Sequence, residues 1–134
     1  MLGTEEQKFS IDLAKESLLH YIINGDYYTV SEQDLKSLSE ESELLKPRGC
    51  FITLKHKNDG ELRGCIGSIV SSNLLYENIL QNSVSAGLRD HRFAPVDEDE
   101  FHELSFEISV MGPLEKVEDL DEIVLGVHGL VVTQ

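Results

Sequence analysis

The chain has 134 residues, which suits a single domain with its own hydrophobic core. Its 11 Lys and Arg against 25 Asp and Glu give a net charge of −14, so it would repel a polyanion, and binding of DNA or RNA is not expected. No apolar stretch approaches the roughly 20 residues of a membrane-spanning helix, and no secretory signal pattern is present. Two cysteines are too few for a disulfide scaffold, which favours a cytoplasmic protein.

The N-terminal segment predicts a helix from Glu5 to Asn24. Its apolar residues recur on one helical face, at Ile11, Ala14, Leu18, Tyr21 and Ile22. Gly25 follows Asn24 and can end the helix in a left-handed conformation. The polar segment Ser31–Lys46 predicts a surface connection with little part in the core, and Ser31 with Asp34 can cap a short helix there.

A β-hairpin is predicted next, because apolar residues alternate on both sides of the Asn58–Gly60 turn. A three-residue loop with glycine in the left-handed region would pair Lys57 with Glu61. That register collects the aliphatic side chains on one face, which holds Cys50, Ile52, Leu54, Leu62, Ile66 and Val70. The other face then holds Phe51, Thr53, Lys55, Arg63, Cys65 and Gly67.

This register makes two predictions about the cysteines and glycines. Cys50 and Cys65 lie on opposite faces, so a disulfide between them is not expected. Arg63 and Cys65 share a face and flank Gly64. Gly64 and Gly67 lack side chains, which leaves room for another backbone or a ligand to approach closely.

The second half of the chain predicts a helix that begins at a Ser71–Asn73 cap and runs to about Leu88. A loop at Asp90–Pro95 and an acidic, solvated segment at Asp97–Glu103 follow. Leu104 to Val110 alternates apolar and polar residues, as in a half-buried strand.

The strand ends at Gly112-Pro113, a short helical turn is expected near Asp119 to Ile123, and His128 to Thr133 begins a further strand. The order of elements predicts an α+β fold with a largely antiparallel sheet and an extra N-terminal helix.

Cys65 is the sharpest candidate for chemistry. A nearby cation favours the reactive thiolate, and Arg63 lies two residues away on the same strand face. The alternative is a small buried cysteine with a packing role. No histidine is favoured as its partner, and the spacing of cysteines and histidines fits no zinc pattern, so no metal site is predicted. The Asp90–Phe93 segment fits either a cleft edge or a salt-bridged turn.

Several segments resemble those of a known family. Gly60–Ser68, which contains Leu-Arg-Gly-Cys-Ile-Gly, resembles the hallmark motif of the AMMECR-one (AMMECR1) family. Arg48–Phe51 resembles the strand before the hallmark, and Asp90–Val96 resembles the family's Asp-Pro-Arg-Phe-Pro-Pro stretch. Glu107–Pro113 and Gly126–Leu130 resemble its later strands. The resemblance extends from about Ala14 to the end of the chain.

The resemblance implies an α+β fold built from strand-strand-helix-strand units. His91 and Ala94 stand where the family usually has prolines, so His91 is a poor candidate for a shared catalytic base. Family domains continue past the position of Gln134, so we expect one domain over residues 1–134 that lacks its C-terminal part. Members of the family have no firmly assigned activity, and the resemblance implies no particular cofactor. It implies Memo-like or radical-SAM proteins as partners.

Three functions follow as hypotheses. The first is an accessory or regulatory domain in which Arg63, Cys65, Gly64 and Gly67 shape a cleft for a small ligand or a partner's chain. The second is an enzyme that uses Cys65 as nucleophile or covalent carrier. In that case Arg63 favours the thiolate, and Arg92 or His128 binds an anionic group. The third is a purely structural motif. The sequence does not predict an oligomeric state.

Overall fold

The computed structural model describes residues 2–69, 72–111 and 115–118. Its helices are α1 (Thr4–Asn24), α2 (Glu32–Lys36), α3 (Leu75–Leu88) and α4 (Glu98–Phe101), with a 3₁₀ turn at Glu43–Leu45. Its strands are β1 (Cys50–His56), β2 (Leu62–Ser68), β3 (Leu104–Val110) and β4 (Glu115–Glu118). Among the helices of these ranges, none is long and apolar enough to cross a membrane. The predicted α+β class and the N-terminal helix are confirmed.

The four strands form one antiparallel sheet in the order β2-β1-β3-β4. The hairpin β1-β2, the helix α3 and the strand β3 make the expected strand-strand-helix-strand unit. The sequence did not predict β4, which pairs with β3 after the expected end of that strand. The helical turn expected near residues 119–123 and the strand expected from residue 128 lie outside the described residues.

The hairpin follows the predicted register as far as Leu54, which pairs with Gly64. The register then shifts, and Lys55 lies opposite Leu62. Because a bulge of this kind turns the following side chains to a different side, Leu62 is 40% exposed, and its predicted place in the core is wrong. Gly60 has a φ of 74°, the left-handed turn residue that the loop required.

The core lies between one face of the sheet and the helices α1 and α3. Fully buried side chains from the sheet meet fully buried side chains from the helices there, namely Ile52, Leu54, Phe106 and Ile108 with Ala14, Leu18, Ile79 and Val84. Helix α1 ends at Gly25, whose φ of 79° and N–H bond to the Tyr21 carbonyl match the predicted stop. The apolar stripe of α1 packs into this core and holds the helix against the sheet.

Two predictions need correction, one about burial in the segment Ser31–Lys46 and one about the start of α3. Ser31 caps α2 as expected, but Leu44 in the same polar segment is fully buried, so this connection does contribute to the core. The N-cap of helix α3 is Leu74, not the predicted Ser71–Asn73 segment. The Leu74 N–H donates to Glu77 Oε1 at 2.9 Å.

The outer face of the sheet is polar and carries a short charged ladder. Glu107, which is 8% exposed, accepts from Lys55 Nζ at 2.7 Å and from Lys116 Nζ at 2.6 Å. Burial alone would raise the pKa of Glu107, but the two lysines outweigh it and hold that pKa below its usual value. Thr53 pairs with Glu107 on one side and with Cys65 on the other, so the ladder adjoins the cysteine.

Candidate functional site

Cys65 lies on the edge strand β2, where it is half-buried. Its Sγ is 3.3 Å from the Oγ1 of Thr53, its cross-strand neighbour, in a hydrogen bond that either atom can donate. Cys50 is fully buried on the opposite face, and burial raises its pKa to about 12. Both thiols are free, as the register predicted. Of these two cysteines, Cys65 alone is positioned to meet a ligand.

Asp90, which is 7% exposed, joins Cys65 to Arg92. Its Oδ2 accepts from the Cys65 backbone N–H at 3.0 Å and from Arg92 Nη2 at 2.7 Å. Its Oδ1 accepts from Arg92 Nε at 3.0 Å and from the Arg92 backbone N–H at 3.1 Å. Arg92 and the Cys65 N–H hold the pKa of Asp90 well below its usual range. One carboxylate thus satisfies an edge-strand donor and orients a guanidinium.

Arg92 is the cation that this arrangement associates with Cys65. Its side chain is 58% exposed, and its Cζ is 5.5 Å from the centre of the Phe93 ring. Its pKa is raised, chiefly by the hydrogen bond to Asp90 and the charge of that carboxylate. Through Asp90, the guanidinium is held to the backbone of the strand residue that carries the thiol.

Arg63 has a different setting from the one predicted. It is 7% exposed, and its Nε and Nη2 donate to the two carboxylate oxygens of Glu100 at 2.5 and 3.0 Å. Nη2 also donates to the Ala94 carbonyl at 2.6 Å, and the Phe93 ring centre lies 5.6 Å from its Cζ. Its Nη1 is buried without a hydrogen-bond partner in the part of the chain that the structure describes. Arg63 therefore attaches the loop 90–95 and α4 to β2.

Glu100 corrects the prediction of a solvated acidic segment. Its carboxylate binds Arg63, and its Oε2 lies 3.1 Å from Nε2 of His56. Arg63 first and His56 second lower its pKa against the effect of burial. The neighbouring Phe101 is buried in the core. The run of acidic residues contains a helix and an anchoring ion pair.

The two motif glycines are closely approached by the protein's own backbone. A Cβ on Gly64 would lie 2.2 Å from the carbonyl oxygen of Ala86 in α3. A Cβ on Gly67 would lie 2.2 Å from the Cys50 oxygen and 2.5 Å from the Cα of Phe51. The room that these glycines leave is occupied, which supports a packing role for both.

Other candidate residues lie away from this arrangement. His128 falls outside the described residues, and His91 is exposed in the loop. Ligand atoms of His56, Asp59 and Glu61 lie within 4.8 Å of one another near the hairpin turn. The two carboxylates are exposed, and exposed acidic groups of this kind are common without an ion, so the cluster is not taken as a metal site.

Sequence reasoning missed the roles of Thr53, Asp90 and Glu100. The register alone pairs Thr53 with Cys65, so that contact was available from the sequence. The ion pair of Asp90 with Arg92 matches the salt-bridged turn that was one alternative for this segment, whereas the bonds of Asp90 to the backbone were not predicted. Glu100 carried no signal beyond its membership of an acidic run.

Comparison with known proteins gives relatives over most of the chain. Protein MK0488 of Methanopyrus kandleri is 33% identical over 138 residues, covering 98% of this chain and 63% of that protein. Protein CA_C1420 of Clostridium acetobutylicum is 37% identical over 133 residues, covering 96% of this chain and 26% of that protein. The chain thus spans less than two thirds of the length of either relative.

A solved structure and a family model agree with these relatives. The uncharacterized protein PH0010 from Pyrococcus horikoshii superposes with a TM-score of 0.69 at 27% identity, over 84% of this chain and 57% of that one. The AMMECR1 family model matches residues 11–134, which include the whole Leu62–Gly67 motif. The chain belongs to the AMMECR1 family.

Proposed function

We propose that this AMMECR1 domain is an accessory or regulatory domain that binds an anionic small ligand, or an anionic group of a partner's chain, at Cys65. The proposed site consists of Cys65, Thr53, Asp90 and Arg92. The observation that carries the proposal is the pair of hydrogen bonds that the Asp90 carboxylate accepts, one from the Cys65 backbone N–H and one from the Arg92 guanidinium. These bonds attach an oriented cation to the strand residue that carries the half-buried thiol.

The guanidinium of Arg92 suits this role. Asp90 occupies its Nε and Nη2, while the side chain remains 58% exposed to solvent. An exposed guanidinium can bind a carboxylate or phosphate with charge-assisted hydrogen bonds. The other motif residues have supporting roles in this proposal. Arg63 anchors the loop, and Gly64 and Gly67 allow close packing of neighbouring backbone.

A second candidate is an enzyme in which Cys65 is the nucleophile or a covalent carrier. The hydroxyl of Thr53 at 3.3 Å favours it, because a donated hydrogen bond stabilises a thiolate. Within the described ranges, no histidine contacts Cys65, so this mechanism lacks an identified general base. We therefore place binding ahead of catalysis.

Labelling with iodoacetamide, an uncharged reagent, tests the binding site. We expect Cys65 to be labelled in the native protein and Cys50 only after unfolding, because Cys50 is buried. Inorganic pyrophosphate and glutarate serve as the phosphate and carboxylate probes. At least one should slow labelling of wild-type Cys65 and have no effect on Arg92→Gln.

The matched control is Arg48→Gln, which removes an arginine that pairs with Glu43 far along the chain from the site. Protection that survives in Arg92→Gln, or the absence of protection by both probes, would contradict an anion site. A stable covalent adduct of Cys65 with an activated ester would instead favour the enzyme hypothesis.

The Memo-like and radical-SAM partners remain a prediction from the family. Binding of a purified Memo-like protein to the wild-type chain, and weaker binding to Arg92→Gln, would support a partner's chain as the ligand. Equal binding of both variants would assign the interaction to another surface.

A further inference from the structure

Three cavities that share lining residues lie in a row along α1 and the segment that follows it, away from the residues of the Cys65 site. The first is a cavity of about 630 Å³ between the start of α1 and residues 37–42. A second cavity of about 270 Å³ shares Phe9 and Ser37 with the first. A third of about 230 Å³ shares Tyr28 and Val30 with the second. We call these three cavities the α1 groove.

The floor of the α1 groove is apolar. Half-buried hydrophobic side chains that pack against the core line it, namely Phe9, Tyr28, Val30, Leu38, Tyr76 and Leu80. Along α1 the lining runs from Thr4 to Glu16, which at 1.5 Å per residue is about 18 Å, or three turns of a partner helix. A surface of this size with an apolar floor matches the helix-in-groove mode of recognition.

The rim of the α1 groove is acidic. Seven of its lining residues are carboxylates, and none is a lysine, arginine or histidine: Glu5, Glu6, Asp12, Glu16, Asp34, Glu41 and Glu77. Some have internal partners, since Asp12 binds Lys8 at 2.8 Å and Glu6 binds the Gly3 N–H and the Ser42 hydroxyl. Glu16 and Asp34 pair with no cation in the described part of the chain.

Tyr28 lines both the second and the third cavity, in the middle of the α1 groove. Its pKa is raised by burial first, and then by the charges of Glu16 and Asp34. These two carboxylates lie on different helices, so the cavity is enclosed by negative charge from two sides. A cationic side chain placed here would be attracted by both.

We propose that the α1 groove binds a basic amphipathic helix of a partner protein. Apolar side chains of that helix lie on the floor, and its lysines or arginines face Glu16 and Asp34. A second copy of the chain is disfavoured, because two molecules of net charge −14 repel. The chain's own residues 119–134 contain three acids and no lysine or arginine, so they lack the required charge.

The probe is a fluorescein-labelled synthetic helix of 14 residues, with Leu repeating at i, i+3, i+4 and i+7 and Lys elsewhere, so that one face is apolar. Fluorescence anisotropy at physiological salt measures its binding to the wild type, to E16Q/D34N and to E98Q/E103Q. The last variant is the matched control, because it removes two exposed carboxylates on and after α4. We expect E16Q/D34N to bind about five- to tenfold more weakly than E98Q/E103Q.

A second peptide, with serine replacing leucine, tests the apolar floor and should bind at least tenfold more weakly at the same charge. Equal weakening by the two double variants, or equal binding of the two peptides, would overturn the proposal in favour of non-specific attraction. Light scattering provides another measurement on unmodified protein. A wild-type dimer that E16Q/D34N converts to a monomer would identify a second copy as the occupant and refute a basic partner.

Discussion

Replacement of Gly64 by alanine separates a packing role of the motif from a ligand role. Gly64 does not have a positive φ, so its backbone conformation does not require glycine. The added Cβ would lie 2.2 Å from the carbonyl oxygen of Ala86 and 3.2 Å from its carbon, where ordinary contact begins at 3.4 Å. Both atoms are backbone, so no side-chain rotation relieves the clash. Helix α3 and strand β2 would have to separate by about 1 Å.

The expected cost follows from the size of that displacement. Overpacking a well-packed core costs about 1–3 kcal/mol and sometimes more, and a clash with helix backbone belongs at the upper end. We expect Gly64→Ala to lower the free energy of unfolding by about 3 kcal/mol or more. In a domain of this size that lowers the melting temperature by roughly 10 °C.

Urea denaturation followed by circular dichroism measures the change. The control is Gly60→Ala, because Gly60 has a φ of 74° but a Cβ there would meet nothing within 4 Å. That variant carries only the strain of a left-handed alanine, about 1 kcal/mol. If Gly64→Ala were within about 0.5 kcal/mol of the wild type, the packing explanation for this glycine would be wrong.

Three further predictions concern stability. The wild type should have a larger free energy of unfolding than Asp90→Asn at pH 7, and this difference should shrink as the pH falls below about 4, because the pKa of Asp90 is lowered in the folded state. Urea titration across pH measures the difference, and a constant value would refute the prediction. Glu107→Ala should cost about 1–3 kcal/mol, and Lys55→Ala less, because a second lysine still pairs with Glu107; chemical denaturation of both ranks them. Leu44→Ala should cost about 2–5 kcal/mol, while Ile69→Ala, at a site 69% exposed, should stay within about 0.5 kcal/mol by the same assay.

The sequence predicted those parts of the fold that depend on local patterns. The apolar stripe of α1 and the alternation in β1 and β3 are properties of short segments, and each appears in the structure. The hairpin register was also accessible, because a one-residue slip would place Ile52 and Ile66 on different faces. The bulge beside Lys55 was not, since it depends on how the strand end meets the rest of the molecule. Leu62 was misplaced for that reason.

The site was less predictable because its contacts are distant in sequence. Cys65 and Asp90 are 25 residues apart, and Arg63 and Glu100 are 37 apart. No periodic pattern identifies which acidic residue in a surface segment turns back to meet a strand. The loop from Asp90 onward could be predicted as a candidate by its composition, whereas the bonds of Asp90 to the Cys65 backbone and to Arg92 could not.

Most of the Leu62–Gly67 motif has a structural explanation that involves no ligand. Gly64 and Gly67 admit neighbouring backbone, and Arg63 anchors α4 and the loop through Glu100 and the Ala94 carbonyl. These packing requirements do not specify a thiol at position 65, where the side chain contacts only the Thr53 hydroxyl among the described hydrogen-bonding groups. A serine would satisfy that contact equally well. The hydrogen bonds of the described residues therefore do not account for cysteine at position 65, and the iodoacetamide experiment tests whether a ligand does.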